Sequence, residues 1–169
     1  MNNRMNNRMN NPDNLLCCML LVYSLPIILV IYKYQNNGSI SNIICDKENQ
    51  PIVLGSMILM GIYTILYETH RQDPISMTII IGLLLGIYGV ICVEECDNLH
   101  TYSAIIVFAS ILCFMYYHCR SRENNVLYCL LFLQLLLSVY IIFDTSHFLW
   151  LEALLIVIFA TFYLYLHTI

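Results

Sequence analysis

The sequence predicts an all-α, polytopic membrane bundle of six transmembrane helices, with both termini on the inner side. Three observations predict it. Of 169 residues, 60% are hydrophobic and 11% charged, with a mean hydropathy of +0.73. The charges divide the chain into runs of membrane-spanning length. The arginines and the acids then sort to opposite ends of those runs. A soluble domain carries about 25% charged residues and about 45–50% apolar ones. A chain of this size has too much surface to solvate with so few charges. These proportions speak against a nucleic-acid binder, a disordered chain and an ordinary cytosolic enzyme.

The charge-free runs measure the spans. They hold 19 residues between Asp13 and Lys33, 19 between Glu48 and Glu68, and 20 between Asp73 and Glu94. They hold 22 between Asp97 and Arg120 and 20 between Glu123 and Asp144, and 17 residues follow Glu152. At about 1.5 Å per residue, roughly 20 apolar residues cross a hydrocarbon core of ~30 Å. Backbone amides in lipid need partners within their own segment, so each run is expected to be helical. Barrel strands would be shorter and would alternate with polar residues.

The expected spans are 15–32, 52–67, 75–93, 103–117, 126–143 and 148–166. The first contains Pro26, which removes a backbone hydrogen bond and should kink the helix near Tyr23. The second is short and contains Gly55 and Gly61. The third carries Gly82, Gly86 and Gly89 at i, i+4 and i+7, a smooth stripe against which another backbone can pack closely. The short turn from Glu68 to Pro74 should join the second and third helices in an antiparallel hairpin. The fifth holds Gln134, which reads as interhelical glue. Many of the 13 tyrosines, Tyr32, Tyr67, Tyr102, Tyr117 and Tyr163 among them, fall near span ends, as in an interfacial aromatic belt. Ahead of the spans, residues 1–14 repeat Met-Asn-Asn-Arg with a period of four. That pattern buries nothing, so this Asn-rich tail is expected to be disordered, with residues 15–169 forming the transmembrane domain.

An N-in, C-in arrangement puts Arg4, Arg8, Arg71, Arg120 and Arg122 inside and leaves Lys33 and Lys47 outside, five against two. Cys45 and Cys96 then face the outer side, where the redox state permits a disulfide between them; Cys92 is a competing partner. Cys17, Cys18 and Cys119 lie near the inner interface, where thiols are open to palmitoylation, although small apolar helix residues are an equal reading. Asn37-Gly38-Ser39 is a glycosylation sequon close to the first span.

Glu152 is the one formal charge within an expected span. An ionisable group there is costly and calls for a partner or a function. His100 and His147 lie at similar depth. Asp97-x-x-His100 and Asp144-x-x-His147 place a carboxylate and an imidazole on one helical face, a donor set that suits a divalent metal. The bland alternative is loop acids beside interfacial histidines, and no metal, catalytic residue or cofactor is assigned on this pattern. The chain has no His-x-x-x-His pair, no Gly-x-Ser-x-Gly elbow and no phosphate-cradling glycine loop.

The order of features resembles the six-helix eukaryotic membrane proteins that include the DRAM autophagy modulators and the FRAG-type proteins. Ile40-Ser41-Asn42 followed by Gln50-Pro51 is similar to that family's first outer loop. Gly82, Gly86 and Gly89 before Leu99-His100, with Ala104 and Phe108 after, are similar to its third and fourth helices. Trp150-Leu151-Glu152 and Ala160-Thr161-Phe162 are similar to its sixth helix, in altered order. The resemblance implies a non-enzymatic protein that modulates membrane lipid organisation or autophagic and endomembrane traffic. Its partners would be the lipid bilayer, lipids or other membrane proteins, with no nucleic acid. The competing expectations are a hydrolase or metal-dependent enzyme on the outer face, and a small transporter that uses Glu152.

Overall fold

The computed structural model describes residues 12–33, 48–93, 97–143 and 148–169. Among them the chain is all-α. Its helices are α1 (Pro12–Lys33), α2 (Gln50–Arg71), α3 (Pro74–Cys92), α4 (Asn98–Arg122), α5 (Asn125–Phe143) and α6 (Phe148–Thr168). Four of them are long and apolar enough to cross a membrane: α2 with 22 residues, α3 with 19, α4 with 25, and Trp150–His167 of α6. The apolar stretches of α1 (Leu15–Leu25) and α5 (Asn125–Ile141) are shorter. The chain thus reads as an integral membrane protein. Pro12, Asp13 and Asn14 belong to α1, so the helix begins within the stretch expected to be a tail; the repeat itself lies outside the described residues.

Two helices differ from the expected spans in a way that matters. Helix α4 starts before Ser103 and ends after Tyr117, because Asp97 caps its first turn and Glu123 ends it. The Asp97 Oδ1 accepts from the Leu99 N–H at 2.9 Å. Glu123 takes a left-handed φ of 47°, and its N–H reaches the Cys119 carbonyl. Helix α2 continues a full turn beyond Tyr67 and stops where Gln72 adopts φ 55°. That extra turn draws Glu68 and Arg71 into the bundle. The α2–α3 turn is tight, since Asp73 already caps α3 by accepting from Ile75 N–H at 3.1 Å and Ser76 N–H at 3.0 Å. Pro74 at the first helical position gives up only an N–H that the helix would not have used.

Sequence neighbours pack side by side, and α4 also touches α6. The core centres on Phe114 of α4, which is fully buried. Its ring stacks on Tyr163 at 5.6 Å and meets Phe159 edge-on at 5.9 Å, both from α6. Leu127 and Leu131 of α5 and Ile80 and Leu83 of α3 close around it. Helix α1 is tied to α2 by the Tyr23 hydroxyl, 3.1 Å from Thr64 Oγ1. Thr64 spends its own proton on the Met60 carbonyl at 2.7 Å, so Tyr23 is the donor. Large apolar side chains face outward along the helices: Ile58, Ile62 and Leu66 on α2, and Phe132, Leu136 and Val139 on α5. A continuous apolar exterior of this kind suits lipid as its solvent.

The glycine stripe packs within the chain, against α4 and not against α2. A methyl group on Gly86 would sit 3.0 Å from the Val107 backbone nitrogen and from the side chains of Ile106 and Val107. One on Gly89 would run into Ser103, and one on Gly82 would meet Ser110 Oγ at 3.4 Å. Gly61 faces α3, 3.8 Å from Leu84, and Gly55 has open space. Gln134 is buried, yet neither of its amide atoms has a partner among the described residues, so it does not act there as the glue expected of it. We predict that Gly86→Val destabilises the bundle by about 1–3 kcal/mol through overpacking against α4. Gly55→Ala should leave stability unchanged or slightly higher, as compared by thermal unfolding in detergent.

Candidate functional site

A fully buried carboxylate lies at the end of the bundle that carries the α2–α3 turn. Glu68 of α2 has no solvent exposure. Arg71, one turn further along α2, places Nη1 3.2 Å from Oε1 and 3.3 Å from Oε2. The Ser76 hydroxyl of α3 donates to Oε2 at 2.8 Å, and the Tyr163 hydroxyl of α6 donates to Oε1 at 2.7 Å. Both carboxylate oxygens are thus engaged, and one side chain holds three helices together. Such closure is what a buried charge requires, because an unpaired one would be displaced or neutralised.

A fourth helix joins through Ser76. Its Oγ lies 3.2 Å from Nε2 of His118 on α4, which is itself almost fully buried. Ser76 has a single proton, and the contact with Glu68 takes it. His118 Nε2 is therefore the donor to Ser76 and not a base able to deprotonate it. That assignment separates the trio from a nucleophile–base pair, in which the serine proton points at the imidazole. Aromatic rings shield the cluster: His118 packs on Phe114 at 4.4 Å, and His167 lies between Tyr67 at 4.7 Å and Tyr163 at 4.4 Å.

Next to this closed network is an open cleft of about 530 Å³, lined by Arg71, Asp73, His118, Ser121 and Arg122. Ser76 does not line it. Asp73 forms one wall and accepts a third hydrogen bond on Oδ1, from the Tyr117 hydroxyl at 3.1 Å. Burial alone would push its carboxyl up. The hydrogen bonds from Ser76 N–H and Tyr117, the proximity of His118, and the bond from Ile75 N–H outweigh that and hold it below its ordinary value.

The residues singled out from sequence fall elsewhere. Asp97 is spent on the α4 cap, and His100 is buried with Nδ1 3.2 Å from the Val93 carbonyl. Glu152 is half-buried in the second turn of α6. Asp144, His147, Cys45, Cys96 and Asn37 lie outside the described residues. Among the described residues no three His, Cys, Asp or Glu side chains are placed to hold one metal ion. Cys17 is exposed and Cys18 half-buried, whereas Cys119 is fully buried in the core and not presented to an acyl donor. In the sequence Glu68 stands only as the marker that ends the second span. The available signal was its i, i+3 spacing to Arg71, an ion-pairing distance on a helix.

Two outcomes follow. Tyr163→Phe removes one hydrogen bond to a buried charged group and should cost about 1.5–3 kcal/mol. Glu68→Ala, which leaves Arg71, Ser76 and Tyr163 without their acceptor, should cost about 3–5 kcal/mol; thermal unfolding of the purified variants measures both. The Asp73 cap should stabilise the protein above the ordinary carboxylate range and lose its contribution as pH falls through the depressed value. Asp73→Asn, which keeps a capping side chain, should flatten that acid limb of the stability–pH curve.

No protein-family model, no curated protein and no solved structure matches this chain.

Proposed function

We propose that this chain is a multipass membrane protein that crosses the bilayer six times, N-in and C-in, and acts without turnover. Its work is done through contacts with lipid or with other membrane proteins. The observation that carries this reading is the closure of the Glu68 network. Its carboxylate, the Ser76 hydroxyl and the Tyr163 hydroxyl are committed to one another, and the serine is sealed away from the cleft. Buried polar groups satisfied in this way fix how helices pack and leave no activated nucleophile. The assignment to membrane lipid organisation or endomembrane traffic comes from the resemblance to the DRAM and FRAG-type proteins.

The arginine count supports the orientation. Arg71, Arg120 and Arg122 gather at the end of the bundle where α2, α4 and α6 terminate, the end assigned to the inner side. Helices α1 and α5, with 22 and 19 residues, are at least as long as α3, whose 19 residues suffice for a span.

A second reading, a small proton-linked transporter, is favoured by one observation. The hydrogen-bonded chain Glu68–Ser76–His118 connects a fully buried carboxylate to a group on the cleft wall. In this reading Glu68 takes the place assigned to Glu152. The outer-face enzyme has less support, because Asp97 and His100 are already engaged by backbone groups.

Single-cysteine variants and an impermeant thiol reagent test the topology. Cys45 should label from the outer side and Glu123→Cys from the inner side, and labelling of Cys45 from the inner side would overturn the arrangement. In proteoliposomes the non-catalytic reading expects no proton uptake that depends on Glu68. Uptake abolished by Glu68→Gln would establish the transporter instead.

A further inference from the structure

We propose that the cleft between the α2–α3 turn and the end of α4 is a binding site for a phosphate group. Three features of the cleft point there. Arg71 is held rigidly by Glu68 through Nη1 alone, so that Nε and Nη2 have no hydrogen-bond partner among the described residues while the side chain lines the cleft. A guanidinium fixed at one nitrogen and open at two others is pre-organised for the paired N–H···O geometry that phosphate accepts. Arg122 and Ser121 on the last turn of α4 add a second guanidinium and a hydroxyl on the same rim, and the almost fully buried His118 forms the floor. The volume of about 530 Å³ exceeds what a bare ion fills and lies within the range of small-molecule sites.

The acids facing the cleft do not cancel this. Glu68 is buried behind Arg71 and closed by Ser76 and Tyr163. Asp73 is turned to the α3 cap, its Oδ1 taking hydrogen bonds from Ile75, Ser76 and Tyr117. Its presence on the wall favours a phosphodiester that also carries a hydroxyl or ammonium group, since such a group finds an acceptor in the carboxylate. The cleft opens at the ends of the apolar helices α2 and α4, the level at which the membrane reading above puts lipid headgroups. A phospholipid headgroup and a soluble phosphate ester share the recognised chemistry. The lipid source rests on the membrane reading above; phosphate recognition itself does not.

The test uses the full-length chain, purified and delipidated in an uncharged, phosphate-free detergent. Binding is followed by native mass spectrometry and thermal shift. The probes are phosphatidylglycerol, diacylglycerol with the same acyl chains, and inorganic phosphate. The double variant Ser121→Ala/Arg122→Gln removes cleft donors without touching the Glu68 network, so its unliganded unfolding temperature should match that of the parent. Phosphatidylglycerol should bind at least about tenfold more tightly than diacylglycerol and lose about tenfold or more in the variant, the loss expected for one charge-assisted hydrogen bond. Inorganic phosphate that binds alone and competes would assign the site to soluble phosphates; phosphatidylglycerol binding without such competition would assign it to the headgroup. Equal retention of diacylglycerol and phosphatidylglycerol with no phosphate binding, or binding unchanged in the variant, would overturn the proposal. The topology experiment fails or succeeds independently of all these outcomes.

Discussion

A carboxylate with no exposure to solvent has to be paid for by its neighbours, and the end of this bundle that carries the α2–α3 turn is arranged around that requirement. Glu68 draws donors from α2, α3 and α6, and through Ser76 it reaches α4. Four helices therefore share one electrostatic constraint. Apolar helices in lipid have no hydrophobic drive toward one another, so packing detail and hydrogen bonds select the arrangement. A single acid with several donors fixes both rotation and depth.

That network needs α3 and α4 close together, and the glycines allow it. Ile106 and Val107 of α4 stand so close that a methyl group at Gly86 would push its neighbours aside by a few tenths of an ångström, and Ser103 leaves no room for one at Gly89. With the two backbones that near, Ser76 at the start of α3 can meet His118 near the end of α4 at 3.2 Å. The small-residue stripe and the polar cluster are thus parts of one device. The stripe brings the helices together along their length, and the cluster locks them at the end that carries the α2–α3 turn.

Much of the helical architecture was legible in the sequence, because charges in a membrane protein are expensive enough to sit mainly at boundaries. The ends of α1, α3, α5 and α6 follow closely from the charge-free runs. The ends of α2 and α4 do not, since a helix capped by a left-handed residue continues past the last apolar position. Gln72 and Glu123 supply those caps, and both are non-glycine residues that carry no clear stop signal. The candidate site was missed for the same reason. Treating each charge as a boundary hides a charge that the helix buries. Glu68, Ser76, His118 and Tyr163 lie up to 95 positions apart in sequence, and no local spacing announces that they meet. The Gly82, Gly86 and Gly89 stripe was legible as a packing surface, but its partner helix was not, because a stripe shows what is missing and not what fills it.

The position of the cluster along the bundle also follows from energetics. An ionisable group is costly at the centre of a bilayer and less so near its edge. Glu68 lies within one turn of the end of α2, and Arg71 reaches from the last residue of that helix into an open cleft. The same placement orders the protons. Glu68 accepts a hydrogen bond from the Ser76 hydroxyl, Ser76 in turn accepts one from His118 Nε2, and His118 lines the cleft.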